Sequence, residues 1–410
     1  MTEPEAPPSH VPPPSPWRLV PALGLTQILA WASSYYLPAV IARPVADSTG
    51  WPLAWVVGGL SLGLLVSGLI APRVGRTIEA RGGRPVLATS ALMLSAGLLA
   101  LALSWTLPAY FLAWVTIGAG MGAGLYDAAF ATLGRIYGEG ARRPITALTL
   151  FGGFASTVGW PLSAWLVATV GWRGTCAVYA AIQIALVLPA YLTILPRERR
   201  RDAIAPPRDS VDKPDAAGDP PGARRVTLFA LVAVTFTLGD VIWSVLSVHL
   251  IAILEAREVA LAAAVALGML VGPSQVAARA VEMLTGRLYH PIWTLTASSL
   301  LFAAGVALLW AGSPWLALGF MLYGAGGGMR SIARGTLPLA LFGAPGYPGL
   351  IGRLAMPSLL AQAISPTIGA WLLERIGAVP LLAVLTAVAS VQLATVAVLW
   401  AATRRLRARS

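Results

Sequence analysis

The sequence predicts an all-α membrane protein: twelve transmembrane helices arranged as two pseudo-symmetric six-helix bundles. Composition is the first sign. Of 410 residues, 57% are hydrophobic and 11% charged, whereas a soluble domain carries about 25% charged residues. A surface so poor in charge must face lipid. The second sign is a set of twelve apolar runs, each long enough as a helix for a ~30 Å hydrocarbon core. The third is an internal echo: Arg76–Arg84 (RTIEARGGR) and Arg279–Arg287 (RAVEMLTGR) both read R-x-x-E-x-x-x-G-R, 203 residues apart. Ala164, Trp165 and Leu166 with Gly171 recur as Ala370, Trp371 and Leu372 with Gly377, 206 residues on. Two echoes at nearly one spacing predict two related halves.

In chain order, residues 1–16 are Pro-rich and polar, so a disordered tail is expected there, without the apolar core of a cleaved signal peptide. The first bundle covers 17–195, with spans 1 to 6 at 18–42, 53–74, 86–106, 108–134, 145–169 and 174–195. Residues 196–225 are charged and rich in Pro and Asp, which predicts a disordered linker. The second bundle covers 226–402, with spans 7 to 12 at 226–253, 259–279, 291–311, 315–341, 349–373 and 378–402, followed by a basic tail, 403–410. These runs are too long and too uniformly apolar for the alternating strands of an outer-membrane barrel.

Loop charge sets the orientation. With the N-terminus in the cytoplasm, 23 Lys and Arg residues fall in inside loops and tails and four in outside loops, Arg43, Arg173, Arg257 and Arg375. That imbalance places both termini, the linker and both R-x-x-E-x-x-x-G-R segments in the cytoplasm of an inner-membrane protein. The net charge of +12 therefore marks a membrane side, and no nucleic-acid partner is expected. The single cysteine, Cys176, excludes an internal disulfide, and three scattered histidines (His10, His249, His290) exclude a metal site.

Six plus six helices, a long central loop and charged Gly-containing segments after spans 2 and 8 resemble the major facilitator superfamily over residues 18–402. The family's segment carries a Gly, an acidic residue four later, then a Gly and basic residues, here Gly75, Glu79, Arg81, Gly82 and Arg84. Glu79 replaces the usual Asp, and Ala80 stands where a basic residue is common. Gly50–Leu69 is similar to the oxalate/formate and monocarboxylate porter branch. Gly152, Gly153, Gly159 and Pro161 loosely resemble the Gly-Pro motif of antiporters, with Trp160 in place of a Gly. The resemblance implies alternating access and a central cavity lined by spans 1, 4, 7 and 10.

Charge inside the spans identifies candidate site residues, because an ionisable group at mid-bilayer costs about 2.5–3.5 kcal/mol on insertion scales. Asp127 lies in span 4, Asp240 in span 7, and Arg330 and Arg334 in span 10. Span 1 adds Gln27, Tyr35 and Tyr36. Asp240, near mid-membrane, is the favoured proton carrier and Asp127 the second. Two like charges at i, i+4 in span 10 repel, so an anionic substrate is expected to relieve them. His249, on the face of span 7 opposite Asp240, reads as a structural hydrogen-bonder. The repeated segments supply a candidate cytoplasmic gate: Gly75, Arg76, Glu79, Arg84, Arg279, Glu282 and Arg287.

No phosphate-binding loop is present, so no cofactor is expected and a proton gradient is the expected energy source. No catalytic grouping suggests an enzyme. The expectation is a monomeric secondary transporter exporting a small molecule by proton antiport. A carboxylate or organic-anion porter is the alternative, and a membrane receptor or intramembrane enzyme is the alternative of another class.

Overall fold

A computed structural model describes residues 14–197, 221–312 and 314–407. The expected disordered tail and linker lie almost wholly outside these residues. Where the two meet, α-helix already runs from Pro16 and again from Pro221, so that the last five residues of the expected linker are helical.

Sixteen α-helices among the described residues build twelve membrane-length rods. Span 1 is α1 (Pro16–Ser33) followed by α2 (Pro38–Thr49), with Tyr35 and Tyr36 in the break between them. Spans 2 and 3 are α3 (Leu53–Arg81) and α4 (Gly83–Ala102); span 4 is α5 (Leu107–Gly124) plus α6 (Tyr126–Tyr137). Span 5 is α7 (Arg142–Gly152) and the first part of α8 (Ala155–Ile182). Gly171, at φ 71°, turns the chain into span 6, which ends in α9 (Leu188–Ile194). The second half is more regular. Span 7 is α10 (Pro221–Glu255), and span 8 is α11 (Leu261–Gly268) with α12 (Val271–Thr285). Spans 9 to 12 are α13 (Pro291–Ala311), α14 (Leu316–Phe342), α15 (Tyr347–Ile376) and α16 (Ala378–Arg407).

Helix starts follow local chemistry. Thr106 caps α5 through its side chain, and His290 caps α13 ahead of Pro291. Seven described helical stretches are long and apolar enough to cross a bilayer, one of which, Leu107–Ile194, runs through spans 4 to 6. Spans 1, 10 and 11 fall outside this set. They are interrupted by Gly, Pro and polar residues, and all three turn residues toward the centre of the molecule.

Without a hydrophobic drive between helices in lipid, small residues set how closely they pack. The two halves meet along α3 against α15 and along α7 against α12 and α14. A Cβ on Gly75 would collide with the Pro348 carbonyl, and one on Gly352 with that of Ala71. Glycine at both positions lets the two backbones touch. The first half's apolar clusters consequently take in Leu339, Tyr347, Ile351 and Ala363 from the second half.

Candidate functional site

Between the halves lies a cavity continuous with solvent. Spans 1, 2, 4, 5, 7, 8, 10 and 11 all contribute to its wall. The first half supplies an aromatic side. Trp31 packs on Tyr35, Tyr36 and Tyr126 with ring centroids 5.2, 5.9 and 5.1 Å away. The break after α1 exposes the two tyrosines, because neither is carried along the face of a continuous helix.

The second half supplies charge. Arg330 pairs with Asp240, whose side chain is fully buried. Arg334, one helical turn on, donates from Nη1 to Asp240 Oδ2 at 2.9 Å. It also forks onto Asp127 of the first half, Nε to Oδ1 at 2.8 Å and Nη2 to Oδ2 at 3.0 Å. The four groups form one neutral cluster, and the Asp127–Arg334 pair ties the halves together through it. Bidentate geometry fixes both the distance and the orientation of that link. The anion expected to relieve the span 10 arginines is thus supplied by the protein: Asp240 and Asp127 occupy the positions assigned to a substrate carboxylate. Arg334 is buried against them and does not reach for the headgroups.

Asp127, Asp240, Arg330, Arg334, Tyr35 and Tyr36 all line the cavity. Gln27 does not. It is fully buried within the first half, donating Nε2 to the Gly124 carbonyl at 2.7 Å, so its helical face belongs to the core. His249 bonds through Nε2 to the Pro366 carbonyl at 2.7 Å, away from the charge cluster. Sequence reasoning passed over Trp31, Tyr126, Trp243 and Gln275, which also line the cavity. The i, i+4 spacing of Trp31 and Tyr35 on a cavity-lining span was the available signal.

The repeated segments are helical, not loops. Arg76 and Glu79 sit in the last turns of α3, which ends at Gly82 with φ 82°. Glu79 sends its carboxylate toward the first turn of α15, so near that a Cβ on Gly349 would lie 2.6 Å from Oε2. An anion there is favoured by the free amides of a helix N-terminus. Arg135 donates to the Glu79 carbonyl. Arg76 is exposed and Arg84 half-buried.

In the second copy, Arg279 and Glu282 are 6% and 2% exposed, inside α12. Glu282 accepts from Tyr289 at 2.5 Å and Thr294 at 2.7 Å. Burial, and then the Glu282 carboxylate, push the Tyr289 phenol up, which keeps it a donor. Arg279 crosses to the first half and donates to the Thr149 carbonyl at 2.9 Å. It also lines the cavity, so it leaves the count of cytoplasmic loop charges. Arg287 is exposed.

Two halves of six spans around a central charged cavity define a membrane transporter. The chain belongs to the Major Facilitator Superfamily, whose sequence profile matches residues 23–292. No curated protein sequence gives a significant match. Among solved structures, the human organic anion transporter MFSD10 (TETRAN) is similar, with a TM-score of 0.71 at 17% identity, covering 93% of this chain and 100% of that one. The Escherichia coli fucose:proton symporter FucP is similar at TM-score 0.68 and 14% identity, over 96% of this chain and 99% of that one. A FucP structure in the outward conformation gives TM-score 0.68 at 13% identity, over 97% and 100%. At these identities the likeness concerns the fold.

Proposed function

We propose that this chain is a proton-coupled secondary transporter of a small organic anion, working by alternating access, with the R-x-x-E-x-x-x-G-R face in the cytoplasm of the inner membrane. The observation that carries this reading is the Asp127–Arg334 pair, which links the halves from within the cavity. Adding a proton to Asp127 removes one charge from that link and leaves Arg334 with Asp240 as its remaining partner. Protonating Asp240 instead would strand Arg330, which has no other carboxylate partner among the described residues, beside a fully buried neutral acid, and would leave Arg334 with Asp127; breaking a buried pair typically costs about 3–5 kcal/mol. Asp127, at 19% side-chain exposure against 0% for Asp240, is also the carboxylate that solvent reaches. The coupling role therefore passes from Asp240, favoured by depth in the sequence, to Asp127.

The cavity's charge supports an anion porter over export by antiport. Three guanidinium groups and two carboxylates line it, one positive charge in excess. An anion entering beside a carboxylate favours that carboxylate's protonated form, and by linkage the proton favours the anion. The two then load together, which is the thermodynamic pattern of symport. Trp160, in the stretch resembling the antiporter motif, is 47% exposed and packs edge-on against Tyr36 at 5.8 Å, and it adds no charge. MFSD10 and FucP are described as an organic anion transporter and a proton symporter, and both descriptions accord with this reading.

Proteoliposomes containing a pH dye test it. Addition of a transported organic acid should drive proton movement with the wild-type protein. Asp127→Asn should abolish that movement while solute exchange continues. Solute-linked proton flux undiminished in Asp127→Asn would remove the residue from coupling.

A further inference from the structure

The donors in the cavity that no protein group satisfies point to what it takes, given that it is a transport site as proposed above. Arg279 is a guanidinium 6% exposed, and among the described residues it has no carboxylate partner. Its bonds go to neutral acceptors: the Thr149 carbonyl at 2.9 Å, the Gln275 side chain at 3.3 Å and the Gly328 carbonyl at 3.5 Å. A buried cation held only by neutral dipoles retains an unmatched charge, and a buried charge is costly until an opposite one is beside it. This residue is the source of the cavity's excess positive charge, because Arg330 and Arg334 are matched by Asp240 and Asp127.

Two further donors line the same cavity. Trp31 Nε1 and Arg330 Nε are both buried and lack an acceptor. Orphan buried donors are uncommon, since an unmade bond costs about 1–3 kcal/mol. Every one of these unsatisfied features is a donor or a positive charge. The complementary molecule is rich in acceptor oxygens and negative, and the excess of one charge before a proton is taken up corresponds to a monoanion. The rest of the wall it would meet is aromatic. Tyr126 stands beside Arg279, its hydroxyl 3.4 Å from the Thr149 carbonyl that Arg279 also engages. Tyr36 completes a face with Trp31, their ring centroids 5.9 Å apart. Flat apolar bodies pack on such faces in edge-on or offset geometry.

We infer that the cavity binds an amphipathic monoanion, a single carboxylate on an aromatic body. Arg279 receives its charge, the Trp31 indole N–H donates to it, and the Trp31–Tyr36–Tyr126 wall packs against its ring. Arg279 is then a specificity-determining residue for substrate and more than part of a gate. Losing its bond to Thr149 as it turns to the anion also loosens a link between the halves, so occupancy and opening are coupled through one side chain.

The test is equilibrium binding to the full-length protein in nanodiscs, read by quenching of tryptophan fluorescence and checked by calorimetry. The probes are benzoate, phenylacetate and indole-3-acetate, each against its neutral amide. At least one acid should bind ten-fold or more tightly than its amide. Arg279→Gln should remove most of that preference, and Arg279→Lys should restore part of it. Trp31→Phe keeps an aromatic ring, though a smaller one, and removes the N–H; it should weaken the acid three- to ten-fold while weakening the amide distinctly less. Thermal unfolding of each variant separates lost binding from lost fold, and Trp31→Phe serves if Arg279→Gln does not fold. Acids that bind no better than their amides, or do not bind, overturn the inference, as does an acid preference unchanged in Arg279→Gln. If that happens while other solutes still drive Asp127-dependent proton flux, the transporter reading stands and only the substrate class falls.

Discussion

The two copies of R-x-x-E-x-x-x-G-R match at four positions, yet the acid and the base exchange duties between them. In the first copy the acid reaches across the molecule: Glu79 lies at the start of α15 in the other half, while Arg76 is exposed. In the second copy the base reaches across: Arg279 bonds Thr149 of the first half, while Glu282 turns back to Tyr289 and Thr294 of its own. The difference begins one residue upstream. Gly75 lets α3 press its backbone onto α15, whereas the second copy has Ala278 there. Without that close approach, a longer side chain spans the gap. A shared motif thus marks where the halves meet on the charged face, and the neighbouring backbone decides which of its charges makes the contact.

Substitutions should expose this asymmetry. The largest effect is expected from Glu282→Ala, which strips a buried carboxylate from two donors. Hydrogen bonds to charged groups contribute about 1.5–3 kcal/mol, so the variant should lose several degrees in thermal unfolding, measured in nanodiscs. Unchanged stability would place Glu282 in water. Next comes Glu79→Ala, which removes a helix-terminus interaction of about 0.3–2 kcal/mol present only when the halves are closed on this side. It should change transport rate several-fold with little change in unfolding temperature. Arg76→Gln is the paired control and should alter neither, since surface substitutions usually fall within about 0.5 kcal/mol. An Arg76 effect as large as that of Glu79 would mean that the first copy acts as a charged unit and erase the contrast.

Much of this was legible in the sequence because it depends on composition and spacing along the chain. Twelve apolar runs give twelve spans, the echo gives two halves, and rarity alone singles out Asp127, Asp240, Arg330 and Arg334 as residues that gather at the cavity. Pairing was not legible. Asp127 and Arg334 are 207 residues apart, and nothing local in either span records that each holds the other. The span 10 arginines therefore read as an unfilled anion site, when the unmatched cation is Arg279. Its position near the end of an apolar run made it look like loop charge, although α12 carries it inward. Gln27 failed for a related reason: a polar residue in span 1 faces either the cavity or the core, and only the neighbouring helices decide which.

On the proposed mechanism the Asp127–Arg334 link holds the charged face closed, and inter-spin distances probe this closure. Cys176 is buried and free, so labels go on introduced cysteines at exposed sites: Glu139 with Arg287 on the charged face, and Asp47 with Glu255 on the opposite one. At neutral pH the wild-type protein should give a short Glu139–Arg287 distance. Lowering the pH, or replacing Asp127 by Asn at neutral pH, should lengthen that distance while shortening the one between Asp47 and Glu255. Distances that stay the same in Asp127→Asn, or that lengthen together on both faces, would contradict a link that switches the protein between two closed ends.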